Sequence, residues 1–389
     1  MRRRLATATL ATLAGLALAS CGSGAVTPPG ATPAPGAITA AAAPARPFVV
    51  EHVASYRQPW AMTFLSRTQL LITLQSGELL LRDVVTGVDT PVTGTPQVAF
   101  AGQGGLGDVV AGPTFATDKV VYLSWAEASD DGTSGAVVGR AVLETSGGAA
   151  RLIGLKPLWR QQPTVTGSGH YGHRLAFSPD GRYLFVSSGE RQKFDPAQDL
   201  GVNLGKTVRL NLDGTPAAGN PFADRGGVSA EIWSYGHRNP LGLAFDGAGR
   251  LWSTEMGPQG GDELNLIEPG KNYGWPKVSN GSHYGGAGIP DHAPGDGFEA
   301  PKVWWNPSIS PGSLMIYGGE AFGAWQGDAF IGALSGEALI RVDLDATSAA
   351  KADQWDLGQR IREVEQAPDG SIWLLEDDPG GRLLRLSPP

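Results

Sequence analysis

The sequence predicts an all-β fold, a six-bladed β-propeller of four-stranded antiparallel blades, and three observations carry that expectation. Its 389 residues include 56 glycines, 29 prolines and 11 tryptophans, a balance that favours many short strands joined by turns over long helices. One phrase, two short apolar runs about a turn, returns along the chain. No linker interrupts the chain after residue 46, as a pair of separate β-sandwiches would require. With 41% hydrophobic and 17% charged residues, the body can bury a large core.

The N-terminal segment stands apart from that body. Arg2, Arg3 and Arg4 precede an apolar run over residues 5–19 that is short for a membrane span, and small residues lead to Cys21. Residues 1–20 read as a lipoprotein signal peptide, and Leu18-Ala19-Ser20-Cys21 resembles a bacterial lipobox, whose cysteine becomes the lipidated first residue. Cys21 is the single cysteine, so the body forms no internal disulfide. Residues 21–47, mostly Ala, Pro, Gly and Thr, are too poor in apolar bulk and charge to fold alone and read as a tether. Removing residues 1–20 deletes three arginines and no acid, so the formal charge moves from -8 to -11, which argues against nucleic acid as a partner. The expected location is a bacterial membrane, held through the lipid anchor only, with the body facing the periplasm or the exterior. Gly22 lacks the acidic signal that retains lipoproteins at the inner membrane in some bacteria.

Residues 48–389 carry the recurrence. The phrase occurs at 61–65 with 69–73, again at 175–186 around Asp180-Gly181, at 243–253 around Asp246 and Gly249, and at 365–375 around Asp369-Gly370. Each reads as a strand, an Asp-Gly type turn and a second strand, which is a hairpin signature. A fainter copy runs from Val109 to Leu123. A body of roughly 340 residues holds about six blades if each takes somewhat more than 50, with five or seven also compatible with the length.

Beside these hairpins lie three stretches in which polar side chains stand between glycines: Gly102-Gln103-Gly104-Gly105, Gly169-His170-Tyr171-Gly172-His173-Arg174 and Gly236-His237-Arg238-Asn239. Glycine lets backbone approach a ligand closely, and propeller loops meet at the mouth of the central channel, so the three stretches are expected to form one pocket.

These phrases, together with Gln198-Asp199-Leu200, Gly205-Lys206, Glu255-Met256-Gly257-Pro258, Gly261-Asp262-Glu263-Leu264-Asn265, Asn272-Tyr273-Gly274-Trp275-Pro276 and Arg360-Ile361-Arg362, resemble the soluble aldose dehydrogenases that depend on pyrroloquinoline quinone (PQQ), the glucose/sorbosone dehydrogenase family. The resemblance spans nearly all of residues 48–389. It implies a six-bladed propeller that oxidises the C1 hydroxyl of aldose sugars to lactones by hydride transfer to the quinone, passing electrons to an artificial or respiratory acceptor. It makes His170 the general base, a role for which imidazole is suited because its pKa lies near working pH. His173 and His237 are the rivals, while His52, His283 and His292 lack a comparable setting.

PQQ carries three carboxylates, and guanidinium forks suit them. The resemblance gives cofactor contacts to Gln103, Arg238, Asn239, Tyr284, Ala333, Ser335, Arg360 and Arg362. Arg360 and Arg362 are two apart, so a strand places them on one face. A calcium ion that polarises the quinone is implied at the carbonyls of Gly257 and Pro258, and a second at Glu263 and the Tyr273 carbonyl.

Three positions depart from the glucose-oxidising branch: Gly169 in place of an acid, Glu190 where Asp is usual, and Ser335 where some relatives carry a cofactor-binding lysine. They favour a broad aldose dehydrogenase over a strict glucose enzyme. A calcium-dependent propeller lactonase and a non-catalytic surface binding propeller are the alternatives.

Overall fold

The recurring phrase forms an antiparallel hairpin at every place it occurs. The structure, a computed structural model, describes residues 46–389, so the export signal, Cys21 and almost all of the tether lie outside the described residues. Pro59–Phe64 pairs with Gln69–Leu74, Leu106–Ala111 with Val120–Ala128, Gly172–Phe177 with Tyr183–Ser188, Pro240–Phe245 with Leu251–Glu255, and Ile361–Gln366 with Ile372–Glu376. Turns with Asp and Gly close the last three, glycine accepting positive φ as Gly181 does at 68° and Gly370 at 83°. Ser66 holds the turn of the first and a helical turn at Phe115–Asp118 joins the second, so the expected Asp-Gly turn is absent from both. A sixth hairpin, Met315–Ile316 with Ala329–Ala333, carries no such phrase. Its first strand has two residues and its connection runs through a helical turn at Gly323–Trp325, so neither alternation nor turn chemistry marks it in the sequence.

The hairpins extend into sheets. Gly172–Phe177, Tyr183–Ser188, Lys206–Asn211 and Ile232–Tyr235 form one four-stranded antiparallel sheet, and the groups beginning at Pro240 and Met315 form two more. A fourth is built from both ends of the described chain, with Val49–Tyr56 pairing along Gly381–Ser387. The expected separation into four-stranded blades fails for the two groups beginning at Pro59 and Leu106, which merge into one eight-stranded sheet. There Val92 and Thr93 of the edge strand Asp89–Thr93 run parallel to Ala150 and Arg151 of Ala149–Arg160. Both strands are edges with unpaired backbone groups, and pairing them covers what would otherwise be open.

The six first strands contact one another in chain order, and the last returns to the first. Between neighbouring groups of strands the apolar faces interlock, including the two groups joined in the eight-stranded sheet. Leu71, Leu79, Leu123, Trp125 and Val137 form one such layer, and Phe48, Trp325, Phe330 and Trp355 another.

Arg174 ties the ring together at its centre. Its guanidinium donates to the carbonyl oxygens of Leu241 (2.8 Å) and Gly312 (2.6 Å), bonds Glu363, lies 3.5 Å from Asp108 and covers the Trp60 ring at 4.1 Å. These partners sit on or beside the other five first strands. Lys206 is a second buried cation, its Nζ donating to the carbonyls of Pro196, Ala197 and Leu204, and burial pushes its pKa down to about 7.

Candidate active site

The loops on one side of the ring surround a cavity of about 440 Å³, within the usual range for small-molecule sites. Trp60, His173 and Leu241 line it, and on the same strands Met62, Arg174 and Gly242 line the channel beneath. His173 is stacked on Trp60 (5.1 Å, 13°) and bonded through Nδ1 to Ser124 Oγ at 2.7 Å. Burial drives its pKa down to about 3, so the ring is neutral. Gly107 makes its room, because a Cβ there would lie 1.9 Å from His173 Cε1.

His170 directly precedes Tyr171 and Gly172, which line the cavity. Its backbone N–H donates to Gln103 Oε1 at 2.7 Å, and its Nδ1 meets Glu190 Oε1 at 2.6 Å. With Nδ1 committed, Nε2 is the ring atom left for a substrate. Burial lowers the His170 pKa, opposed by the bond to Glu190, so the ring is neutral at neutral pH and ready to accept a proton. Burial alone would raise the Glu190 carboxyl, but bonds from His170 and from the N–H groups of Phe194 and Lys193 hold it below its ordinary value. His170 itself adopts φ 51° and His173 φ 60°, a left-handed conformation that few non-glycine residues take.

Arg360 and Arg362 converge on one carboxylate. Arg360 donates to Asp377 Oδ2 (3.1 and 2.9 Å) and Arg362 to Oδ1 (3.0 and 2.9 Å), and all three line the cavity with Gln103 and Tyr284. Asp377 thus holds two like charges side by side and leaves a net positive wall. On the far side Arg238, buried, donates to the carbonyls of Met256 (3.0 Å) and Gly257 (2.6 Å) and to Tyr284 Oη (3.3 Å). Its Nε and the Oδ1 of neighbouring Asn239 are buried without a partner among the described residues. A polyanionic cofactor fits the donors here, the remaining Nη1 groups of Arg360 and Arg362 and the orphaned Nε–H of Arg238, whereas the free Asn239 Oδ1 can only accept.

The carbonyl turn implied for a calcium ion is engaged by side chains, each carbonyl oxygen keeping a second lone pair. Arg238 already occupies the Gly257 oxygen, and Asp262 is spent on the N–H groups of Gly257, Ile309 and Ser310. Pro258 is buried beside them. Glu263 is different. Its carboxylate accepts only Asn265 Nδ2 at 3.0 Å, its Oε1 lies 4.0 Å from His292 Nε2, and Asn265 Oδ1 and both His292 nitrogens are buried without partners among the described residues. Burial, reinforced by Glu255, pushes Glu263 up to about 8. Glu263 and Asn265 Oδ1 are oxygen acceptors of the kind a hard cation takes, although the described residues contain no group of three or more His, Asp or Glu side chains placed to hold a metal.

Because the folded carboxyl holds a proton that the unfolded one loses above its ordinary 4.5, Glu263 costs stability as pH rises from there to about 8. Thermal unfolding of the metal-free chain is therefore expected to shift down between those values, and millimolar calcium to restore it. Glu263→Gln flattens the slope and removes the calcium effect.

The remaining residues separate into those at the cavity and those away from it. Ser335 Oγ bonds Ser310 Oγ at 2.8 Å, and Ser310 lines the cavity. Ala333 packs into the apolar core, and Leu334 is the residue of that phrase on the cavity wall. Tyr273 is buried under His237 (4.7 Å, 23°), its hydroxyl on the Leu266 carbonyl at 2.5 Å. His237 is fixed by Ser234 and Glu255 and is fully buried. Sequence reasoning missed Asp377 and Trp60. An acid 15 residues after Arg362 gives no local signal, whereas Glu190, beside Gly189, stood in a phrase already singled out.

The chain matches the family described as Glucose / Sorbosone dehydrogenase over residues 56–385. It is 40% identical over 337 residues to the aldose sugar dehydrogenase YliI of Escherichia coli, covering 85% of this chain and 90% of that protein. The crystal structure of the soluble aldose sugar dehydrogenase from Escherichia coli in the apo form superposes with a TM-score of 0.83 at 39% identity, over 88% of this chain and 100% of that one. The PQQ-bound form of an aldose sugar dehydrogenase from Streptomyces coelicolor gives 0.72 at 30% identity, over 89% and 99%.

Proposed function

The chain belongs to the glucose/sorbosone dehydrogenase family, and from that premise we propose that it is a PQQ-dependent aldose dehydrogenase that oxidises the C1 hydroxyl of sugars to lactones. The six contacting first strands support reading the fold as six blades, two of them joined along their outer edges. Bound PQQ would supply the two-electron acceptor. Arg360, Arg362 and Gln103 would hold it from one side, Arg238, Asn239 and Tyr284 from the other.

The observation that carries the reading is the Glu190–His170 pair. Glu190 fixes the imidazole with Nδ1 turned inward, so His170 Nε2 takes the C1 hydroxyl proton of a sugar seated in the cavity. The lowered His170 pKa keeps that atom unprotonated. Activity is expected to rise with pH along a limb whose apparent pKa lies below the ordinary 6.5 of histidine. Calcium at Glu263 and the Tyr273 carbonyl would brace the loops behind Arg238.

The test is a titration of the metal-free chain with PQQ and calcium, followed by a panel of aldoses with a dye acceptor. Oxidation that requires PQQ is the expected result. Binding of PQQ with no oxidation of any aldose sinks the activity. Arg362→Ala is expected to weaken PQQ binding by about tenfold or more, read by fluorescence, since a charge-assisted fork is lost. We further propose that export and anchoring proceed through Cys21, and Cys21→Ser should abolish incorporation of labelled fatty acid.

A further inference from the structure

The segment that follows Glu190 is strained in a way the reading above does not use. Arg191, Gln192 and Phe194 all have left-handed φ, 60°, 59° and 64°, a conformation disfavoured for long and aromatic side chains. The surroundings hold it there. Fully buried Arg191 donates to the carbonyls of Gly169 (2.9 Å), Ser134 (2.5 Å) and Gly167 (2.5 Å) and covers the Tyr171 ring at 3.7 Å. Glu190, which orients His170, also accepts the N–H groups of Lys193 and Phe194.

This anchoring presents two groups outward. The Gln192 amide is exposed and lies against Gly169, the residue before His170. A Cβ at Gly169 would meet Gln192 Cδ and Oε1 at 2.6 Å, so the amide end of Gln192 fills the space that a side chain at 169 would take. Phe194 is 44% exposed, with one face stacked on Trp275 (5.6 Å, 27°). An amide with free donors and an acceptor beside an open aromatic face is the chemistry that binds a sugar ring, through hydroxyls and the apolar C–H face respectively.

We propose that Gln192 and Phe194 form the sugar-recognition element of this site, with the Gln192 amide binding the hydroxyl on the carbon next to the one that reacts at His170. The proposal rests on the aldose dehydrogenase reading. The bonds of Arg191 and Glu190 hold the segment in this exposed arrangement against its conformational cost.

The experiment compares glucose with 2-deoxyglucose, which lacks that hydroxyl, in the wild type, Gln192→Ala and Phe194→Ala. Both dye-linked oxidation after PQQ loading and ligand-observed NMR binding to the cofactor-free chain are measured. Gln192→Ala is expected to cost about tenfold with glucose and leave 2-deoxyglucose within about twofold, the loss of one hydrogen bond. Phe194→Ala is expected to weaken both sugars alike through KM, with the pH profile unchanged. Equal losses for the two sugars in Gln192→Ala, or none, overturn the proposal. A wild type that binds both sugars with the expected discrimination but oxidises neither supports the proposal while removing the dehydrogenase reading.

Discussion

Replacing His170 by alanine is expected to lower kcat for aldose oxidation by about 10²–10⁴-fold while leaving the melting temperature and PQQ affinity near those of the wild type. The imidazole has Nδ1 fixed by the buried carboxylate of Glu190, and its backbone N–H is bonded to Gln103, which lines the cavity. Glu190→Gln should follow it part of the way. The amide keeps a contact to Nδ1 but no longer enforces one tautomer, and the loss of the bond that raises the His170 pKa moves the pH limb further down. Steady-state profiles of the two variants check this. If His170→Ala retains activity within a few-fold, another group is the base and the site has been misread.

Arg174→Met is expected to destabilise the fold by about 3–5 kcal/mol, because it strips the guanidinium from a buried cluster and leaves its acids uncompensated. Asp108 and Glu363 are both buried, and Glu363 is already pushed up to about 7 by burial despite the attraction of Arg174. Glu365 is raised further by burial and by Glu363. With the cation gone these acids hold protons in the fold that the unfolded chain releases, so the penalty should be larger at pH 8 than at pH 6. Chemical denaturation at the two values measures it. Adding Glu363→Gln and Asp108→Asn to Arg174→Met should recover part of the loss. A penalty below about 1 kcal/mol at both values would mean that the channel hydrates the acids well enough to dispense with the arginine.

Much of the fold is legible in the sequence where its causes are local. The phrase at 175–186 is a hairpin because two short apolar runs, buried over consecutive residues, flank the turn that Asp180-Gly181 supplies; no distant contact is needed to close it. Met315–Ile316 escaped for the same reason, since it has neither cue. The merging of two groups through Val92 and Thr93 depends on how adjacent sheets lie, which no local pattern encodes.

The site divides in the same way. Composition and the recurring phrase by themselves pointed to a β-rich chain of repeated hairpins, and the glycine-flanked stretches around Gln103, His170 and Arg238 to one pocket, while Arg360 and Arg362 entered only through the family resemblance. Tertiary structure alone decided which of these face one another and with what charge. Asp377 joins the two arginines, Gly107 clears the space that His173 fills, Arg238 donates to the Gly257 carbonyl, and Ala333 turns into the core. Turn chemistry acts over a few residues, and a sequence displays it. A buried charge is settled by whatever partner ring closure brings to it, as Glu363 comes to Arg174 from 189 residues away, and that partner appears only when the six first strands meet.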